Sequence, residues 1–198
     1  MIKKQLFTTL LACAALLPVQ AQNLQKGDYG YLYCHMSDRG EYTAYAISRD
    51  GYHYQDINNG NAIFDPQEHA RIEGGTRDAY ITRSTDGKGY LMVTTDMCVA
   101  KSHIWDNYGI DLLKSKDLIH WTSVTFDFRK GMQNFCDAAT ATSPYKDWST
   151  INRVWAPQIF WDPNYIWADG TKGGYLIYYS MLNRPEEKYD RMYYSYAD

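Results

Sequence analysis

The chain lacks a sustained helical period: past its first twenty or so residues, apolar side chains do not recur at three- and four-residue spacing. It also lacks a charge of one sign. Twenty Lys and Arg stand against 23 Asp and Glu, for a net charge of −3 and a pI near 5.9. No basic stripe or block gathers those cations, which excludes a nucleic-acid partner held by phosphate contacts. Only one long apolar run occurs, over residues 6–19, and it is too short for a membrane span. It follows Lys3-Lys4 and precedes Val19-Gln20-Ala21, the pattern of a secretory signal over residues 1–21 with small-residue cleavage before Gln22. Lipoprotein processing at Leu10-Leu11-Ala12-Cys13 is the second reading, disfavoured because apolar residues continue past Cys13. Either way the expected destination is the periplasm or the cell exterior. Cysteine is scarce too. Beyond Cys13 there are Cys34, Cys98 and Cys136, at spacings that match no zinc pattern, so at most one internal disulfide forms and all three read as small buried hydrophobes.

What is present in quantity is aromatic: 19 Tyr and 6 Trp. Tyr fills strands and cross-strand pairs. Exposed aromatic faces also stack on the apolar C–H faces of sugar rings. Composition does not separate these two uses.

Short segments rich in Tyr, Val, Ile and Thr, separated by Gly, Asp, Asn and Pro, predict an all-β chain. The chain also repeats itself. Gly30-Tyr31-Leu32-Tyr33, Gly89-Tyr90-Leu91-Met92 and Gly174-Tyr175-Leu176-Ile177 each open a strand. The first two lead on to Ser48-Arg49-Asp50 and Ser115-Lys116-Asp117, each with an aromatic four residues after the Asp (Tyr54, Trp121). Such a unit reads as a four-stranded propeller blade, its Asp capping the turn between outer strands and its aromatic packing between blades. Asp50 and Asp117 are therefore read as structural. Inner strands are expected at residues 77–83 and 154–161, the first running to a tight Asp86-Gly87 turn and the second to a turn at Asp162-Pro163. Residues 129–152 read as a long surface connection, with a helical turn at 137–140. Fewer than three blades are accounted for, where propellers have about four to eight, so residues 22–198 are expected to be the amino-terminal part of a larger propeller.

One residue fits this pattern poorly. Asp78 stands between Arg77 and the apolar Ala79-Tyr80-Ile81 at the head of a strand, where an unpaired carboxylate costs several kcal/mol. It is either functional or an ion-pair partner of Arg77.

The order Arg77-Asp78-Ala79-Tyr80-Ile81 before a Gly-Tyr-Leu strand, then Lys114-Ser115-Lys116-Asp117-Leu118-Ile119-His120-Trp121, then Trp155-Ala156-Pro157-Gln158-Ile159, resembles glycoside hydrolase family 43. The Ser-x-Asp pieces also resemble sialidase Asp-boxes, but the Trp-Ala-Pro strand favours the former. The resemblance implies a five-bladed β-propeller acting on arabinose- or xylose-containing plant polysaccharides by hydrolysis with inversion. One carboxylate would activate water and a glutamic acid would protonate the leaving oxygen. Asp78 matches the general base. The position after Trp-Ala-Pro carries a carboxylate in the family and Gln158 here. A carboxylate about 5 Å from the acid, at an effective dielectric of about 20, would raise its pKa by roughly two units; an amide does not. Nothing after Gln158 matches the acid: Glu186 and Glu187 read as a charged loop, and Glu73 as a loop residue beside Gly74-Gly75. Trp155 lines a sugar site or packs between blades, and Gln158 lines that site, where its amide orients a partner or bonds a sugar hydroxyl. Arg77 contacts substrate, and Trp105 and His103 reach the cavity rim. No cofactor is evident. Calcium is possible by resemblance, without assignable ligands. The expected partner is an oligo- or polysaccharide, and a monomer is expected. The alternative is a non-catalytic carbohydrate-binding propeller or an inactive fragment.

Overall fold

The computed structural model describes residues 30–130, 148–184 and 187–198. The signal sequence with Cys13, together with Cys136, the helical turn at 137–140 and Glu186, lies outside the described residues. The described chain is all-β, as expected. Ten strands form three antiparallel sheets, each a meander in chain order. The first holds β1 (Tyr31–Met36), β2 (Thr43–Ser48) and β3 (Gln55–Asp56). The second holds β4 (Thr76–Arg83), β5 (Tyr90–Asp96), β6 (Gly109–Ser115) and β7 (Trp121–Asp127). The third holds β8 (Ile151–Ile166), β9 (Lys172–Asn183) and β10 (Arg191–Ala197). Two single-turn helices, α1 (Pro66–His69) and α2 (Val99–Ser102), lie in the connections around β4 and β5.

The sequence repeats map onto the sheets in one register. Tyr31 pairs with Ser48, Tyr90 with Ser115 and Tyr175 with Ala197. The glycine that opens the strand is explained in two of the three by proximity. A Cβ on Gly30 would lie 2.3 Å from the Ser48 carbonyl oxygen, and one on Gly89 would lie 2.5 Å from that of Ser115. The Gly-Tyr-Leu and Ser-x-Asp halves of the motif therefore specify one close approach.

The Ser-x-Asp turns are capped as the sequence predicts. Asp50 Oδ1 accepts from the backbone N–H groups of Tyr52 and His53, and Asp117 Oδ1 from those of Ile119 and His120. The His53 and His120 rings meet the second carboxylate oxygens at 2.7 and 2.8 Å. These bonds hold both carboxyls well below the usual carboxylate range. Trp121 is buried with Tyr45, Met92 and Leu113 in a core between the first and second sheets. Tyr54, its counterpart, is exposed.

A second core joins the second and third sheets through Val93, Ile110, Ile151, Val154, Ile159, Ile177 and Met181. Successive side chains on a strand point to opposite faces. Met92 and Leu113 thus enter one core while Val93 and Ile110 enter the other, and the second sheet is covered on both sides.

Several expectations need correction. The Asp86-Gly87 pair is not a two-residue hairpin loop: the ladder closes at Ser84 and Gly89, leaving four residues in the turn. Gly87 does adopt the positive φ (68°) expected of it. Asp162-Pro163 is not a turn either. β8 runs through it as a bulge, which suits a proline that has no N–H to donate, and the chain reverses at residues 167–171 around Gly170. The supposed surface connection over 129–152 reaches the core at its far end, where Ile151 is buried. Cys34 and Cys98 are free and half-buried rather than fully buried, and burial pushes the Cys34 thiol up to about 12. Glu187 is not a solvated loop residue: it is buried, accepts from Tyr193 Oη at 2.6 Å and from Asn183 N at 3.2 Å, and meets Arg191.

Asp111 of β6 is fully buried between β5 and β7. Its Oδ2 accepts from Thr94 Oγ1 at 2.9 Å, and its Oδ1 lies 2.7 Å from Thr125 Oγ1, which also lies 2.8 Å from the His69 carbonyl oxygen. A hydroxyl has one hydrogen and cannot serve two acceptors. A protonated Asp111 resolves this by donating to Thr125, which then donates to His69. Burial, with Asp96 nearby, pushes the Asp111 carboxyl well above its usual range. A carboxyl whose folded pKa is raised stabilises fully below its unfolded pKa, and that stability is lost as pH rises through the folded value. Asp111→Asn supplies the same donor and acceptor without a charge. It is expected to fold, and its stability relative to wild type should grow from about pH 4 upward by at most about 1.4 kcal/mol per pH unit. Urea unfolding at a series of pH values checks this; parallel profiles would place the Asp111 titration elsewhere.

Candidate active site

The site begins with two bulges. In β4 the register with β5 shifts between Arg77 and Tyr80, and Asp78 takes φ 54°. In β8 the register with β9 shifts between Trp155 and Gln158, and Ala156 takes φ 48°. Left-handed φ is uncommon outside glycine, and Asp tolerates it better than Ala. Bulges re-aim a side chain that a regular strand would direct elsewhere. Asp78 and Ala156 occupy the same place in their strands, and one residue joins them. Buried Thr95 of β5 donates from Oγ1 to Asp78 Oδ2 at 2.9 Å and accepts from Ala156 N at 2.9 Å.

Arg77 does not pair with Asp78. Its side chain is 14% exposed, and its guanidinium bonds Glu41 Oε2 at 2.9 Å. Glu41 comes from the β1–β2 connection and also accepts from Val99 N (2.8 Å) and Ala100 N (2.6 Å), fastening the loop that carries His103 and Trp105. Trp105 is 59% exposed, lies under the Arg77 guanidinium and meets Trp155 edge to face at 6.3 Å between centroids. Arg153, ion-paired with Asp190 through two bonds of 2.7 and 2.9 Å, covers Trp155. The two indoles are thus fixed by two guanidinium groups whose charges are already neutralised. Among the described residues, Arg77 Nε and Trp155 Nε1 are buried donors with no acceptor.

Acidic groups gather at the end of β5. Asp96 is buried and accepts from the backbone N–H groups of Ile72, Glu73 and Gly74; burial still pushes its carboxyl up. Burial also raises Glu73, which accepts from Cys98 N, with Asp96, Glu41 and Asp106 adding to the shift. Glu73 is therefore a loop residue, as expected, anchored to the next loop. No group of three or more His, Cys, Asp or Glu side chains among the described residues is placed to hold a metal.

The structure thus brings together Asp78, Arg77, Trp105 and Trp155. His103, at left-handed φ 60°, caps α2 two residues before Trp105 and is exposed. Gln158 is exposed and accepts from Tyr178 Oη, beside a groove along the third sheet lined by Leu176, Met192 and Tyr194. That groove lies apart from the Asp78–Thr95–Ala156 junction. Two contributors escaped the sequence reading. Thr95 looks like any strand threonine, and Glu41 lies 36 positions before its partner Arg77; neither carries a local signal. No helix among the described residues is long and apolar enough to cross a membrane.

A family model described as "probable glycosyl hydrolase domain", of the family 43-related type, matches residues 27–198. An alpha-L-arabinofuranosidase of Bifidobacterium longum subsp. longum is 25% identical over 133 residues, which is 64% of this chain and 11% of that relative. The chain thus spans about a tenth of the curated relative's length. With the family match running through both bulged strands and the tryptophan platform, the chain belongs to the glycosyl hydrolase family 43-related domains.

Proposed function

We propose that the chain is the Asp78-bearing part of an exported β-propeller glycosidase that hydrolyses arabinose- or xylose-containing plant glycans with inversion. Asp78 is the general base that takes a proton from the attacking water, and Trp105 with Trp155 is the platform on which a sugar ring stacks. The observation that carries this reading is the Asp78 carboxylate on a bulge at left-handed φ, tied through Thr95 to the strand that holds Trp155. Strain of this kind costs about 1–3 kcal/mol and is concentrated at functional sites. The three sheets, each covered by or facing its neighbour, are the blades of the propeller. Residues 1–21 direct export.

A second reading, a carbohydrate-binding propeller without hydrolysis, is favoured by one observation. Gln158 stands where a carboxylate would tune the acid, and its amide is engaged by Tyr178. Incubating the full-length protein with arabino- and xylo-oligosaccharides separates the two. Release of free pentose, with NMR showing the inverted anomer first, supports hydrolysis. Calorimetric binding without release selects the second reading, and neither binding nor release removes both.

A further inference from the structure

An aspartate at left-handed φ on an open bulge has rotamers to choose from, and a general base must present one oxygen to water. Asp78 is exposed, and its one side-chain hydrogen bond among the described residues comes from Thr95. Thr95 itself is 1% exposed. Its β-branched side chain has few χ1 choices in a packed strand. Its hydroxyl hydrogen is committed to Asp78, because the backbone N–H of Ala156 approaches the same oxygen and must be the donor in that second bond. The direction of both bonds is thereby fixed. One oxygen of Asp78 is held, the other is left for water, and the holding group is locked to the bulge that carries Trp155 and Ala156.

We infer that Thr95 is the positioning residue of this site: it fixes the Asp78 carboxylate relative to the neighbouring strand β8. The inference rests on the reading of Asp78 as general base. It goes beyond that reading by assigning a role to a buried side chain that touches neither sugar nor water. Misplacement of a reacting group by about an ångström can cost roughly a hundredfold in rate.

The test uses the full-length protein with the arabino- or xylo-oligosaccharide that the wild type cleaves. Thr95→Val keeps shape and β-branching but removes the hydroxyl; Thr95→Ser keeps the hydroxyl. We expect Thr95→Val to lower kcat by roughly 10–100-fold with KM within about threefold of wild type, and Thr95→Ser to recover most of the loss. Should Thr95→Val fail to fold, Thr95→Cys, with a weaker donor, takes its place. Wild-type kcat in the variant lacking the hydroxyl, where Asp78→Asn is inactive, would overturn the inference and leave the base assignment standing. If Asp78→Asn turns over like wild type, or no protein turns over, the base assignment falls instead. Crystal structures of the Val and Ser variants then decide on Thr95 alone. A displaced Asp78 carboxylate in the first and a native one in the second supports positioning; an undisturbed Asp78 in both overturns it.

Discussion

Asp78→Asn is expected to lower pentose release by roughly a thousandfold while leaving oligosaccharide affinity within about twofold of wild type. The substitution separates charge from everything else the residue does. Asparagine has the same shape and tolerates left-handed φ as well as aspartate does, so the bulge at φ 54° persists. Its amide oxygen still accepts from Thr95 Oγ1, so the link to β8 persists as well. What disappears is the capacity to take a proton from water, which is worth about 10²–10⁴ in rate for a positioned base. Affinity should survive because the proposed stacking surface, Trp105 with Trp155, is held by Arg77 with Glu41 and by Arg153 with Asp190, none of which involves the Asp78 charge. Reducing-sugar assays and calorimetry on the same preparation check both halves. Unchanged turnover would take Asp78 out of the mechanism, and lost affinity would make it a binding residue.

The candidate site was legible in the sequence where chemistry and local pattern coincide. Asp78 stood out because a carboxylate does not belong at the head of an apolar strand, and the repeat placed Asp50 and Asp117 at turns because a Ser-x-Asp unit satisfies its own backbone. Long-range partners were not legible. Arg77 sits next to Asp78 in the chain, so a local pairing was the natural alternative. Arg77 instead finds Glu41 in the connection between β1 and β2. Asp162-Pro163 carried a turn signal, yet β9 is long enough to pair beyond it, and the ladder absorbs the proline as a bulge. Asp86-Gly87 gave the right place for a reversal and the wrong loop length, because Ser84 and Gly89 close the ladder one residue outside the Thr85–Lys88 stretch. Tertiary pairing overrode local preference in each case.

Asn107→Ala, at the junction of the second and third sheets, is expected to lower stability by about 4 kcal/mol. Asn107 lies in the connection after Trp105, where a sequence reader sees only a polar loop, yet its exposure is 0%. Its side chain behaves as a strand residue would. Oδ1 accepts from Val154 N at 2.9 Å, and Nδ2 donates to the Val154 carbonyl at 2.8 Å and to that of Gly109 at 3.0 Å. Its backbone N–H reaches the Asn152 carbonyl at 2.9 Å. The amide thus completes the edge of β8 from the connection that leads into β6. Alanine would leave both backbone groups of fully buried Val154 without partners, at about 1–3 kcal/mol each, and a cavity beside them. A water entering that cavity could recover part of this, which keeps the expected loss below the sum. Asn107→Asp discriminates further. A carboxylate can still accept from Val154 N, but it faces the Val154 and Gly109 carbonyl oxygens, so it must take up a proton to donate to either. Its folded pKa should therefore be raised, and the variant should approach wild-type stability in acid and fall away from it as pH rises. Urea unfolding at pH 4 and pH 7 reads both variants; a wild-type midpoint for Asn107→Ala at unchanged m would mean that β8 is held by its apolar core alone. Because the strand so held carries Trp155 and Ala156, a loosened β8 should also weaken saccharide binding in the fraction that remains folded.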